Sequence, residues 1–236
     1  MSTATPVVSS ALQHSTHEVR RAADPSPQWY ARTAGLLYLL VIAGGIFAEL
    51  FVRSALTVSG DAVATARNIV EHEMLYRFGF AAGVAILIMN MPLALIFYEL
   101  FKVVSRRVAL LLVLFVLMGS AIEAVNLLNH FEPLFLLKGA RYLSAFSVEQ
   151  LQALAYTSLR RQSAGFDIAL AFFALYCLSV GYLVFRSTFL PRTLGVLLAL
   201  GGICYLTNSF AGFLSPDFRA GLLPWILLLP ESRNCL

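Results

Sequence analysis

FGFAAGVAILIMNMPLALIFY, residues Phe78–Tyr98, contains no Asp, Glu, Lys, Arg or His in 21 positions. As a helix rising ~1.5 Å per residue it would be about 30 Å long, the thickness of a bilayer's hydrocarbon core. A soluble helix of that length keeps one polar face. This one is apolar all round, so its solvent is lipid. Four more runs share its character, Thr33–Ala48, Val108–Ile122, Ile168–Phe185 and Thr193–Leu214, and a sixth begins near Leu222. The expected fold is an all-α membrane bundle of five to six transmembrane helices, with residues 29–236 as one polytopic domain.

Composition agrees. Hydrophobic residues make up 59% of the 236 positions and charged residues 13%, about half the ~25% typical of soluble domains. The net charge of +4 is spread through the loops. No basic cluster interleaved with aromatics points to nucleic acid, and the expected surroundings are lipid. Cys177 and Cys204 fall inside apolar runs and Cys235 lies at the C-terminus. They read as small hydrophobes and not as a disulfide framework. Residues 1–28 are rich in Ser, Thr, Ala and Pro without periodicity and read as a disordered tail. That tail lacks the apolar core of a cleavable signal, so insertion falls to the first membrane helix.

Between the runs, two amphipathic stretches are expected to lie on the outer membrane surface. One follows Gly60-Asp61, with Val63, Ala66, Ile69, Val70 and Met74 at helical spacing. The other opens at Ser147-Val148-Glu149-Gln150, a capping box, and runs to Leu159. The spanning helices are expected at Arg32–Phe51, Phe78–Leu100 with a kink at Pro92, Val108–Phe131, Phe166–Phe185 and Leu194–Leu214. Leu222–Leu236 would be only ~22 Å long and contains Pro224 and Pro230, so it is not expected to span. The short loops at 102–107 and 186–192 hold Lys102, Arg106, Arg107, Arg186 and Arg192 with no acid. The longer loops mix their bases with Asp61, Glu71, Glu73, Glu132 and Glu149. That density puts the N-terminus in the cytoplasm.

Several stretches carry a family likeness. They are Val52-Arg53-Ser54-Ala55-Leu56, Gly60-Asp61-Ala62, Thr65-Ala66-Arg67-Asn68-Ile69, Gly165-Phe166-Asp167-Ile168 and Gly181-Tyr182-Leu183. The fullest is Arg186-Ser187-Thr188-Phe189-Leu190-Pro191-Arg192 with Leu194-Gly195-Val196-Leu197-Leu198. Over roughly Ala31–Pro230 the chain resembles the bacterial membrane family known as domain of unknown function 4386. The resemblance implies a multi-helix protein of a bacterial inner membrane and carries no activity with it. Family members usually continue into a full hydrophobic last helix, where this chain ends Glu231-Ser232-Arg233-Asn234-Cys235-Leu236. A truncated chain or a partial last helix is expected on that ground.

Polar residues within the runs are the candidates for function, because an ionisable group in a membrane helix costs ~2.5 kcal/mol or more. Three helices start at Arg32, Arg107 and Arg192 and carry Glu49, Glu123 and Asn208 at 16 or 17 positions further on. All three then lie ~24–26 Å above their arginine. Asp167 opens the antiparallel fourth helix at a similar depth. Around the third helix, Gly119, Glu123, Asn126 and His130 fall within about 60° of arc. Gly45 shares a face with Glu49, and Gly201 and Gly212 share one with Asn208, so these faces are expected to pack into the bundle. Arg53 is one turn above Glu49 as its counter-ion. The candidate binding set is Glu49, Glu123, Asn126, His130, Asp167 and Asn208.

Other chemistry finds little support. Of four histidines, His14 and His17 are in the tail, leaving too few for a zinc hydrolase or a bis-histidine haem. Gly119-Ser120 is not a nucleophile elbow and no phosphate-binding glycine loop occurs. No cofactor or metal is assigned, although Glu49, Glu123, His130 and Asp167 supply the residue types for a carboxylate-based metal site. The leading expectation is a small transporter or permease-like protein, whose outer-half carboxylates bind a proton, a cation or a polar solute. A carboxyl group in a low-dielectric bundle can exchange protons near neutral pH. The alternative is a non-transporting accessory or assembly protein whose polar groups fasten helices together, and a membrane-embedded enzyme comes third. Homo-oligomerisation is left open.

Overall fold

The computed structural model describes residues 27–139, 141–188 and 190–214. All but the last two residues of the expected tail, and the whole of Leu222–Leu236, lie outside the described residues. Helix α1 spans Pro27–Ile46 and runs on through a π-helical stretch, Phe47–Arg53, and a final turn, Ser54–Leu56. It begins five residues before the expected Arg32. Helices α2 (Ala62–Glu71), α3 (Glu73–Leu137), α4 (Val148–Arg186) and α5 (Arg192–Leu214) follow, with a 3-10 turn at Arg141–Leu143 before α4. No strand occurs among the described residues. Four helices are long and apolar enough to cross a membrane: α1 with its extension, α3, α4 and α5.

Helix α3 has 65 residues, ~97 Å if it were straight. It is not straight. Ser105 adopts an extended backbone, φ −159° and ψ 106°, and the chain folds back on itself there. Phe80 contacts both His130 and Phe131, a Cβ on Gly83 would meet the Leu127 side chain, and Tyr76 stacks on His130. These pairs make the two arms antiparallel. At the open end Glu73 binds Arg77 and Lys138, each at 2.7 Å, a partly exposed clamp worth little by itself. The backbone stays helical through Pro92, and the interruption of the helix falls at Ser105, between the two apolar runs.

Helix α4 departs further from expectation. Ser147 and Gln150 form the capping box, with the Ser147 hydroxyl accepting from the Gln150 N–H and the Gln150 side chain accepting from the Ser147 N–H. The helix it starts does not stop at Leu159, however. It continues for 39 residues to Arg186, ~58 Å, and takes in the expected second surface helix and the fourth span together. Between them lies Arg160-Arg161-Gln162-Ser163-Ala164-Gly165. It contains no proline, and nothing there breaks the ladder of backbone hydrogen bonds.

Helix α2 is capped by Asp61, whose carboxylate accepts the Ala64 N–H at 2.8 Å. Its Ala66 and Ile69 are buried in the protein, Ile69 within a cluster with Val52, Leu56, Tyr76, Leu134 and Leu159. Only Val63, Val70 and Met74 of the expected apolar face are exposed. Helix α4 is central, with half of its most apolar window buried, and α1 peripheral, with 6%. Helices α4 and α5 approach most closely where glycines face each other. A Cβ on Gly195 would lie 2.7 Å from the Gly181 carbonyl oxygen, and one on Gly202 would lie 2.9 Å from that of Ala174. Among the described residues nothing lies within 4 Å of a Cβ built on Gly45 or Gly201, and on α5 it is Gly202, not Gly201, that points at α4.

Candidate functional site

The polar side chains gather toward the end of the bundle that α2 covers, and three helices supply them. In the π-helical stretch of α1, Glu49 and Arg53 form an ion pair at 4.0 Å with both side chains mostly shielded. A π turn has a wider repeat than an α turn and often marks a functional position. Val52 between them is fully buried, tight against Gly79, where a Cβ would come within 2.6 Å of its side chain. From this anchored turn Arg53 reaches across to α4 and donates to the Ser163 hydroxyl. Its guanidinium also acts electrostatically on Glu123 and His130.

The second arm of α3 carries Glu123, Asn126, Asn129 and His130. The Asn126 amide donates to the Glu123 carboxylate at 3.0 Å and to the Gln162 carbonyl at 2.9 Å. Asn129 donates to the Asn126 side-chain oxygen at 3.1 Å. Asn126 is buried and fills the space over Gly165, where any Cβ would come within 2.2 Å of its oxygen. His130 is buried with its ring stacked on Tyr76 at 4.4 Å and a ring nitrogen 3.4 Å from the Tyr76 carbonyl. In return the Tyr76 hydroxyl donates to the His130 carbonyl. That exchange holds the two arms of α3 together.

Glu49, Arg53, Ser163, Gln162, Asn126, Glu123 and His130 are therefore linked, through partners on α1, α3 and α4. Asp167 is buried on α4 and partnered. Gly119 packs against Ala169 and Asn126 against Gly165, so Glu123, lying between, is level with Asp167. Asn208 is buried on α5. No hydrogen bond joins it to the contacts around Asn126 among the described residues. Among the described residues no three His, Cys, Asp or Glu side chains come together to hold a metal ion, so the carboxylate metal set left open by the residue types is not assembled.

Three participants had no mark in the sequence. Gln162 and Ser163 lie in the stretch read as a loop between two helices, and the absence of any breaker after the Ser147 capping box was the available signal. Tyr76 sits at the edge of an apolar run, where a tyrosine usually reads as an interfacial anchor.

Residues 33–231 match the family described as Domain of unknown function (DUF4386). No curated protein and no solved structure matches the chain.

Proposed function

The chain thus belongs to that family, and from this premise we propose that it is a multi-pass membrane protein that takes a proton or small cation into an acid-rich site and transports it. Helix α3 provides two crossings through its reversal at Ser105, for five across the described residues, and the α2 end of the bundle faces outward. A bacterial inner membrane is the proposed location. Glu123 is the observation that carries the proposal. It follows 15 uncharged residues in its run, and its carboxylate meets the Asn126 amide at 3.0 Å. Glu49 and Asp167 bring two more carboxyl groups into the same region, where Arg53 is the base that reaches both Glu49 and α4. Acid in excess of base in a low-dielectric setting calls for a proton or a cation. Purified full-length protein in sealed lipid vesicles should take up protons or monovalent cations down an imposed gradient, faster than protein-free vesicles.

A second function has its own support. Asn126 is saturated by partners and locked over Gly165, as expected of a polar residue that only fastens helices. Vesicles impermeable to every small ion under every gradient would favour this accessory role.

The orientation makes a separate prediction. In intact cells, Glu149→Cys should react with a membrane-impermeant thiol reagent and Arg106→Cys should react only after permeabilisation. The opposite pattern would reverse the orientation and put the Glu123 site in the inner half.

A further inference from the structure

The two ends of the bundle treat their charges differently. At the α2 end, bases meet acids: Arg67 pairs with Glu71, Arg77 and Lys138 with Glu73, and Arg161 with Glu132. At the other end Glu99 is the one acid near the reversal of α3 among the described residues, and it pairs with Lys102. Arg106 and Arg107 follow the reversal at Ser105, and Arg186 and Arg192 bracket the connection from α4 to α5. All four are exposed. None of the four takes part in an ion pair among the described residues. Four positive charges therefore stand uncompensated at one end of the bundle.

One apolar cluster ties the two connections together. Phe101, Leu183 and Val184 are buried in it, and Val104, Val108 and Leu190 pack against it. Arg106 and Arg107 lie between Val104 and Val108 in the chain, Arg186 two residues past Val184, and Arg192 two past Leu190. The Arg192 guanidinium carbon is 5.9 Å from the centre of the Phe185 ring, next to Arg186. The end of α4 that carries these groups is fixed. Buried Ser187 donates its N–H to the Leu183 carbonyl at 2.9 Å and its hydroxyl to the Val184 carbonyl at 2.8 Å. Along α4 and α5, on the membrane side of the arginines, Tyr182, Phe185, Leu194 and Leu197 are exposed. The surface is thus cationic at its rim and apolar beneath.

We propose that this rim is a binding site for anionic phospholipid, with Arg186 and Arg192 on the headgroup phosphate and the acyl chains along Tyr182 and Phe185. Arg106 and Arg107 add to the positive field from α3. Guanidinium suits the task because its planar fork meets two phosphate oxygens at once. Basic groups beside membrane helices attract anionic headgroups in the same way. A free phosphate would satisfy the arginines alone, whereas a lipid also covers the exposed apolar side chains below them. That second match selects the lipid. The site is at the opposite end of the bundle from Arg53 and Glu123, and it holds whichever role Glu123 plays.

Native mass spectrometry of the full-length protein in detergent, titrated with phosphatidylglycerol or with phosphatidylcholine of the same chains, provides the test. The wild type should retain phosphatidylglycerol at least tenfold more tightly than phosphatidylcholine. Arg186→Gln with Arg192→Gln should weaken phosphatidylglycerol binding by roughly tenfold or more, as loss of two bases near an anionic headgroup does. Arg106→Gln with Arg107→Gln should weaken it in the same direction and decides the matter if the first pair folds poorly. Arg67→Gln with Arg160→Gln removes the same charge at the α2 end and should leave binding within twofold of wild type, as should Glu123→Gln. Equal affinity for the two lipids would overturn the proposal. So would wild-type affinity in both rim variants, or an equal loss in the α2-end variant. Displacement of phosphatidylglycerol by a hundredfold excess of inorganic phosphate would make the rim a site for free anions and overturn the lipid assignment.

Discussion

Gly195→Leu should force α4 and α5 apart and destabilise the protein by roughly 3 kcal/mol, at the upper end of the usual cost of overpacking. A Cβ at this position would sit 2.7 Å from the Gly181 carbonyl oxygen and 2.7 Å from the Phe185 backbone nitrogen. Both neighbours are backbone atoms, which cannot rotate away as a side chain can. The reciprocal site is as tight, since a Cβ on Gly181 would lie 2.8 Å from the Gly195 carbonyl oxygen and 2.9 Å from the Ala199 nitrogen. In lipid there is no hydrophobic force to press two apolar helices together, so association depends on this close packing. Gly201→Leu supplies the control. It is six residues along the same helix, with nothing among the described residues within 4 Å of its Cβ position, and should leave the midpoint nearly unchanged. Thermal unfolding in lipid nanodiscs, followed by circular dichroism, measures both. Equal midpoints for the two variants would mean that α4 and α5 do not meet through Gly181 and Gly195.

The five long apolar runs that lie among the described residues all fall within helices of the structure, because burial in lipid leaves a signal in every residue of a span. Helix ends were harder. The change from amphipathic to uniformly apolar character near Gly165 looked like a boundary, yet it records where α4 enters apolar surroundings and not where its backbone stops. Ser105 shows the converse. A single extended residue reverses the chain there, while Pro92, the residue that conventionally interrupts a helix, does not.

Within the site, legibility followed sequence separation. The Glu49–Arg53 pair was readable because an i,i+4 spacing places both on one helical face, although nothing in FAELFVR announces that the turn is π-helical. The common face of Glu123, Asn126 and His130 was readable for the same reason. Their partners were not. Tyr76 meets His130 across a 54-residue separation and Arg53 meets Ser163 across 110. Such contacts depend on how the helices pack, which periodicity within one helix does not encode. The glycines divided similarly: Gly181, Gly195 and Gly202 are at tight contacts and Gly45 and Gly201 are not, a difference set by the rotation of α1 and α5 against their neighbours.

Glu123→Gln separates an ion site from a structural fastening more directly than any other change. The glutamine keeps an oxygen to accept the Asn126 amide, whose present bond to Glu123 is 3.0 Å long. Stability should therefore stay within about 1 kcal/mol of wild type, the scale of one inter-helix hydrogen bond in a membrane. What the substitution removes is the ability to carry charge or to take and release a proton. Proton and monovalent-cation uptake by vesicles containing the wild-type or the Glu123→Gln protein, read beside their unfolding midpoints, is the decisive measurement. Transport through this site predicts uptake reduced to the protein-free rate with the midpoint retained. Wild-type uptake rates in the Glu123→Gln vesicles would contradict it.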